Sequence, residues 1–311
     1  KRFKDLYPIA KNSDVYGGLY IPKDGQANPE ILTKVIAKAA RQEGAKIIEK
    51  CQFKKIIKRN NQVRGIKTNL GEIKCEYIVL CAGMWSRQIG EAAGVSIPLY
   101  PNEHFYMITE EYKKLPLNLP TFRDPDTYLY MREYNKKLMI GIFEPIAKNA
   151  FKKTSKVPEN FSFGEFKVDK DYVNMLRKLA SKRIPKINEL KIEKYFSGPE
   201  SFTPDTNYLL GETAEIKNFF VCCGFNSIGI GSAGGAGKAV ADWMINGHTT
   251  EDLFSLDVKR FEKFNSSLKF IKERVTESLG NLFQMHWPYK QLTTSRNIKL
   301  LPYHQNLKKL G

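Results

Sequence analysis

Cysteine and histidine are scarce in this chain, and their placement argues against two kinds of chemistry. Among 311 residues there are 5 cysteines and 4 histidines. Cys51, Cys75, Cys81, Cys222 and Cys223 form no C-x-x-C pair and the histidines are widely scattered, so the spacing of a zinc site is missing and no metal is expected. Most of the cysteines fall in apolar, strand-like runs, which suits buried free thiols in a reducing compartment, with the cytoplasm as the expected location. No apolar run reaches the roughly 18 to 20 residues that cross a bilayer, and the opening KRFKDLYPIAKNSD has no signal-peptide core, so no membrane partner is expected. Acidic residues are outnumbered, 33 against 50 Lys and Arg, for a formal net charge of +17. That excess suits an anionic partner. Yet the lysines are spread through every segment and no basic tract is interleaved with aromatics, so no nucleic-acid surface is expected. Internal repeats are also absent. What is present, at 42% hydrophobic residues, is enough to build the core of one large or two modest domains.

The most informative stretch is Phe219 to Met244, FFVCCGFNSIGIGSAGGAGKAVADWM. Phe219 to Cys223 reads as a buried strand. Gly224, Gly229, Gly231, Gly234, Gly235 and Gly237 read as a crowded turn, and the remainder as an amphipathic helix starting near Ser232 and ending near Gly247. Strand, glycine turn and helix form an anion-binding geometry. Free N–H groups at a helix N-terminus carry about half a positive charge, and glycines let another molecule touch the backbone. Gly229-Ile230-Gly231-Ser232-Ala233-Gly234 also satisfies G-x-G-x-x-G. A first Rossmann turn, however, leads through its helix to a second strand ending in an acidic residue about 20 positions on. His248 to Asp257 reads instead as a polar turn, which argues against a pyrophosphate loop here. Taken alone, the glycines fit close helix–sheet packing as well as a phosphate loop.

Along the chain, Tyr16 to Pro29 is Gly- and Pro-rich and reads as loop with a short strand. Asn28-Pro29 then starts a helix carrying Ile31, Leu32, Val35, Ile36 and Ala39 at helical spacing, which Gly44 ends. Ala45 to Glu49 reads as a strand, and Phe53 to Cys75 as a small meander turning at Asn69 to Gly71. Tyr77 to Cys81 reads as a fully buried strand entering Ala82-Gly83-Met84-Trp85. The order matches a dinucleotide-binding α/β domain seen from its middle. No strand with a Gly-rich turn precedes Tyr16, so the chain reads as incomplete at its N-terminus. From Pro98 aromatic, alternating strands follow at Glu103 to Ile108, Thr127 to Arg132 and Lys137 to Phe143, then a loop over Ala150 to Phe166, a helix over Asp169 to Arg183 and a strand over Glu189 to Phe196. This predicts an antiparallel substrate domain with one covered face, residues 98–197, inserted between two parts of the α/β domain, 1–97 and 198–257. Residues 258–311 read as a charged helix and a Pro-containing extended segment leading towards a further domain.

Six phrases fall in one order: Gly17-Gly18-Leu-Tyr-Ile-Pro-Lys-Asp24-Gly25, Tyr77-Ile-Val-Leu-Cys-Ala-Gly83-Met-Trp85, Asn102-Glu-His104-Phe-Tyr106, Tyr130-Met-Arg132, Gly198-Pro-Glu-Ser-Phe-Thr-Pro-Asp205 and Cys223-Gly-Phe-Asn226-Ser-Ile-Gly229. Together they make the chain resemble the dimethylglycine and sarcosine dehydrogenase group of D-amino-acid oxidase-like flavoproteins, over nearly its whole length. The resemblance implies FAD as cofactor, and tetrahydrofolate in a domain beyond this chain. It implies a small N-methylated amino acid as substrate, electron-transfer flavoprotein as partner, and the mitochondrial matrix as the alternative location. It also implies that the pyrophosphate loop and a histidine that attaches FAD lie upstream, so that the 311-residue chain retains FAD poorly and is inactive. A regulatory homologue, resembling the pyruvate dehydrogenase phosphatase regulatory subunit, is the alternative of another class.

By the same resemblance, Phe53, Ala82, Gly83, Trp85, Gly224, Gly229, Ile230 and Gly231 border the cofactor, with the helix N-terminus aimed at the pyrimidine edge of the flavin. Trp85 also reads as plain core. His104 matches the family's active-site histidine, although its face depends on strand register. Tyr130 matches the active-site tyrosine, with Tyr128 as its rival two residues away. The implied reaction is hydride transfer from an N-methyl carbon to flavin, for which the amine must be neutral.

Overall fold

A computed structural model of the chain describes residues 3–285 and 290–310. After a single turn at Phe3–Leu6 (α1), the first long element is Pro29–Gln42 (α2). It forms for local reasons. Asn28 Oδ1 accepts from Ile31 N at 3.0 Å, Pro29 occupies the first turn, and Glu30 pairs with Lys34, contributions of a few tenths to about 1 kcal/mol each. The apolar residues keep their helical spacing, but Ile31, Val35 and Ile36 are 54% to 60% exposed and no residue of α2 is buried. Ala45 to Glu49, expected as a strand, is unpaired, and the short strand expected between Tyr16 and Pro29 is likewise not formed. A strand is a property of a pair: without a neighbouring edge, extended backbone gains no ladder hydrogen bonds.

Phe53–Arg59 (β1), Gln62–Thr68 (β2) and Gly71–Lys74 (β3) form the expected antiparallel meander. Ile78–Leu80 (β4) then leads through a single 3-10 turn at Gly83–Trp85 into Ser86–Ala93 (α3). Tyr100–Thr109 (β5), Phe122–Asp124 (β6), Leu129–Tyr134 (β7), Lys137–Ile142 (β8) and Ile192–Phe202 (β9) build a five-stranded antiparallel sheet in the order β6-β7-β8-β5-β9, with Lys170–Arg183 (α4) on one face. Residue alternation decides which face each side chain serves. Phe105, Met107, Leu129 and Ile140 are buried against Leu176 and Ala180 of α4. His104, Tyr106, Tyr130 and Gly141, one residue out of phase, occupy the other face. β9 pairs with β5 as far as Phe202↔Tyr100, so the strand runs through Ser197 and Gly198 without a break.

Leu209–Glu212 (β10), Phe219–Cys223 (β11) and β4 make a third sheet. β10 is antiparallel to β11, and β11 is parallel to β4 from Phe219↔Ile78 to Val221↔Leu80. FFVCC is apolar throughout because both faces of β11 are covered. Phe219, Val221 and Cys223 face Val95, Ile97 and Leu99, while Phe220 packs on Ala236 and Val240 of Gly229–Asn246 (α5). β4, expected to be fully buried, is an edge strand with Ile78 and Val79 half-buried and Tyr77 exposed. Of the five free cysteines only Cys223 is buried, and Cys81, just past the edge strand β4, is exposed. Leu268–Asn281 (α6) and His304–Leu310 (α7) follow, and residues 286–289 of the expected extended tail lie outside the described residues. The fold is mixed α/β with antiparallel sheets. Among the described residues no helix is long and apolar enough to cross a membrane.

Candidate active site

β4 and β11 end side by side, so Ala82 and Gly83 after one strand and Gly224 after the other share one carboxyl edge of the sheet, where open α/β sheets receive ligands. Gly83 has φ +54° and is exposed. Trp85 is half-buried rather than core, and its Nε1 donates to Pro158 O at 3.1 Å, tying the 150–166 loop to this edge. Gly224 is buried with φ +69°, and a Cβ there would come within 2.8 Å of Thr203 Cγ2. Asn226 and Ser227 continue in left-handed backbone at φ +49° and +66°. That turn is held by Asn226, 1% exposed. Its Oδ1 accepts from Thr203 N at 2.8 Å, and its Nδ2 donates to Gly224 O at 2.6 Å and Thr203 Oγ1 at 3.1 Å. Asn226→Ala strands the buried Thr203 N–H and is expected to cost about 1–3 kcal/mol, read as a lower urea midpoint at unchanged slope.

α5 starts at Gly229, three residues before the expected Ser232, so five of the six glycines expected in the turn are helical and only Gly224 is not. Helical glycine costs up to about 1 kcal/mol against alanine. Packing of Ala236, Val240 and Trp243 on Phe220 outweighs this, and the outward face is left bare: a Cβ on Gly231, Gly234, Gly235 or Gly237 would meet nothing within 4 Å. The N-cap, Ile228, makes no side-chain capping bond. A helix N-terminus with uncapped N–H groups, beside a surface free of side-chain atoms, fits a planar group with anionic character, and Gly229, Ile230 and Gly231 are the residues whose N–H groups could hold it. Phe53 stands apart. It opens β1 in the meander, and among the described residues no hydrogen bond or ring contact joins it to this edge.

The other half of the site is on the antiparallel sheet. His104 on β5 is 6% exposed, and its Nε2 lies 3.0 Å from Tyr130 Oη on β7. β8 separates the two strands, and its Gly141 makes the contact possible: a Cβ at that position would overlap Cζ and Oη of Tyr130. Tyr128 is not an equivalent rival, since at φ +58° it lies outside β7 and breaks the alternation. On its other side, His104 Nδ1 faces Glu144 Oε2 at 3.6 Å, an ion-pair distance too long for a hydrogen bond. Burial alone lowers the His104 pKa, but the charges of Glu200 and Glu144 outweigh it and leave the imidazole above its ordinary value. Burial, with Glu200 and Glu144 acting in the same sense, holds the Tyr130 phenol well above its own. Phe143 lies 4.6 Å from the His104 ring and stacks at 4.0 Å on Phe283, over which the Arg123 guanidinium sits at 3.8 Å. This aromatic wall covers the His104 side of the pair, while Tyr130 is half-buried.

The two halves meet through β9. Glu200, whose charge bears on both His104 and Tyr130, accepts from Ser227 Oγ in the turn before α5. The structure therefore brings His104 and Tyr130 together and links them to the Gly224–Gly231 segment. Sequence reasoning left Glu144, Glu200, Asn226 and Phe283 without roles. A lone acid closing the apolar run MIGIFE was the one signal pointing to Glu144.

The model of the FAD dependent oxidoreductase family matches residues 1–243, and that of the FAD dependent oxidoreductase central domain matches residues 246–300. The 4-methylaminobutanoate oxidase (formaldehyde-forming) of Paenarthrobacter nicotinovorans is 36% identical over 100% of this chain and 37% of its own length. The mitochondrial sarcosine dehydrogenase of Mus musculus is 34% identical over 98% of this chain and 33% of its own length. The chain thus spans about a third of these curated relatives. Among solved structures, the L-proline dehydrogenase of P. horikoshii superposes with a TM-score of 0.72 at 25% identity, covering 84% of this chain and 67% of that one. With a family match that runs from residue 1 to residue 243, well into α5, the chain belongs to the FAD dependent oxidoreductase family.

Proposed function

We propose that the protein oxidises a small N-methylated amino acid, with His104 and Tyr130 as its catalytic residues and the Ala82–Trp85 and Gly224–Gly231 segments along the cofactor. The observation that carries this reading is the His104–Tyr130 contact of 3.0 Å, made by a buried His104 and a half-buried Tyr130 on the sheet face that Glu200 connects to the α5 turn. FAD, when bound, supplies the acceptor for the hydride leaving the N-methyl carbon. The chain's own task is to free the amine lone pair.

An amine reaching the site is protonated and cannot give up hydride in that form. Tyr130 keeps its proton because its pKa is raised well above the ordinary value, so it acts as a relay and not as a phenolate. With His104 neutral, Tyr130 Oη donates to Nε2 and its lone pairs accept an ammonium proton; one proton then moves from the amine nitrogen to Oη while another moves from Oη to Nε2. The Phe143–Phe283 wall shields the imidazole that ends up with that proton, His104 being 6% exposed. Oxidised substrate is an iminium, which water hydrolyses to formaldehyde and the demethylated amine or which passes its carbon to tetrahydrofolate held outside this chain, and electron-transfer flavoprotein takes the electrons. The cytoplasm or the mitochondrial matrix would serve as the compartment.

The test is anaerobic visible absorption of the full-length protein, of which these 311 residues are expected to be one part, loaded with FAD and with sarcosine, dimethylglycine and 4-methylaminobutanoate added separately. One of them is expected to bleach the oxidised-flavin band near roughly 450 nm, and the fastest names the preferred substrate. A protein that takes up FAD and is bleached by no N-methylated amino acid overturns the reading. A full-length protein that takes up no FAD overturns it in favour of a regulatory homologue.

A further inference from the structure

We propose that Glu144 is the positioning residue of this site: its carboxylate, 3.6 Å from Nδ1 of His104, keeps that nitrogen protonated and so leaves Nε2 as the nitrogen that exchanges a proton with Tyr130. The role assigned to Nε2 rests on the amine-oxidation reading above, whereas the coupling between the two side chains stands without it.

Both partners are otherwise orphaned. The Glu144 side chain is 1% exposed, and among the described residues neither of its carboxylate oxygens, nor His104 Nδ1, has a hydrogen-bond partner. A carboxylate removed from water persists only opposite a donor or positive charge, and the His104 nitrogen facing it at 3.6 Å is placed to supply one. A small approach of the two side chains turns 3.6 Å into a charge-assisted hydrogen bond. A proton fixed on Nδ1 leaves the neutral imidazole a lone pair on Nε2, where Tyr130 Oη stands.

The carboxylate is also held in place from behind. α6 runs against the turn after β8 so closely that a Cβ on Gly280 would lie 2.7 Å from both Glu144 O and Pro145 Cα, and Phe143 beside it is stacked on Phe283. Other charged groups around His104 do not substitute for Glu144. Glu200 reaches from β9 but is partly exposed and engaged by Ser227. Tyr130, from β7, occupies Nε2, and Tyr106 of β5 and Arg132 of β7 act on Tyr130.

The chain has only 4 histidines, so ring nitrogens of a 15N-histidine-labelled sample give few signals, and His104→Gln assigns the relevant pair. Wild type is expected to show Nδ1 protonated in the neutral ring and a titration midpoint above the ordinary value of about 6.5. In Glu144→Gln the midpoint should fall by about 1–3 pH units, and Glu144→Asp, which keeps the charge, should recover part of the fall. In the FAD-loaded protein the acid limb of kcat/KM, where neutral His104 is required, should move to lower pH in Glu144→Gln. A wild-type His104 whose neutral ring carries its proton on Nε2 overturns the proposal, as does a folded Glu144→Gln with an unmoved midpoint. The first result is read on wild type, so a variant that fails to fold does not shield the idea. The ring titration is readable whether or not any amine bleaches the flavin, so failure of the amine reading is distinguishable from failure of this one.

Discussion

His104→Ala in the FAD-loaded protein is expected to lower kcat/KM for the preferred amine by about 10²- to 10⁴-fold, the range spanned by loss of a positioned proton acceptor. The loss should be smallest at high pH, where more of the amine arrives already neutral. The acid limb of the wild-type profile should sit above the ordinary imidazole value, because Glu200 and Glu144 raise His104 against the effect of burial. Linkage fixes the sign for stability as well. A histidine raised in the fold stabilises it fully below the unfolded value, and this contribution fades as pH rises through the folded value. His104→Ala should therefore lose less stability relative to wild type at pH 9 than at pH 6. Tyr130→Phe separates relay from acceptor, since it removes Oη and leaves Nε2 in place. Steady-state kinetics across pH, with urea unfolding at the two pH values, checks all of this. A His104→Ala enzyme within threefold of wild type at neutral pH would remove His104 from the mechanism.

Asp124→Ala should be the most destabilising of the substitutions considered, by about 3–5 kcal/mol. Arg183 at the end of α4 and Asp124 on β6 are 4% and 6% exposed and joined Nε to Oδ2 at 2.9 Å. Thr127 Oγ1 donates to the same carboxylate oxygen at 2.8 Å, and Arg183 Nη1 donates to Lys11 O at 2.7 Å and Asp14 Oδ1 at 3.2 Å. Removing the carboxylate leaves a buried guanidinium short of its principal counter-charge, and that uncompensated charge is the cost, more than the worth of the pair itself. Replacing both residues together, as Asp124→Leu with Arg183→Met, should therefore cost less than Asp124→Ala alone. Equilibrium urea unfolding of the three proteins decides the matter, and equal losses for the single and double variants would contradict it.

How far the sequence could be read differs from element to element for physical reasons. Alternation in NEHFYMIT and in LYMREY identified strands, and Asn28-Pro29 identified a helix start, because propensity and capping act over a few neighbouring residues. The same local signals misled at Ala45 to Glu49, where no partner strand is present, and at Gly229 to Gly237, where packing of Ala236 and Val240 draws glycines into a helix. They were silent on β6, too short at three residues to show a period.

The sequence by itself determined the family, the apolar strand of β11, the capped helix α2, and His104 and Tyr130 as the residues to watch. Each of these is written in neighbouring residues or in phrases whose order survives without a fold. Only the tertiary structure decided that His104 and Tyr130 meet, that Glu144 stands behind one and Glu200 beside both, and that Asn226 locks the turn carrying Gly224. These contacts join positions that are 26 residues apart for His104 and Tyr130 and 23 for Thr203 and Asn226. They depend on which strand lies beside which and in what register, and strand register is set by the burial of whole faces at once, not by any residue's immediate neighbours.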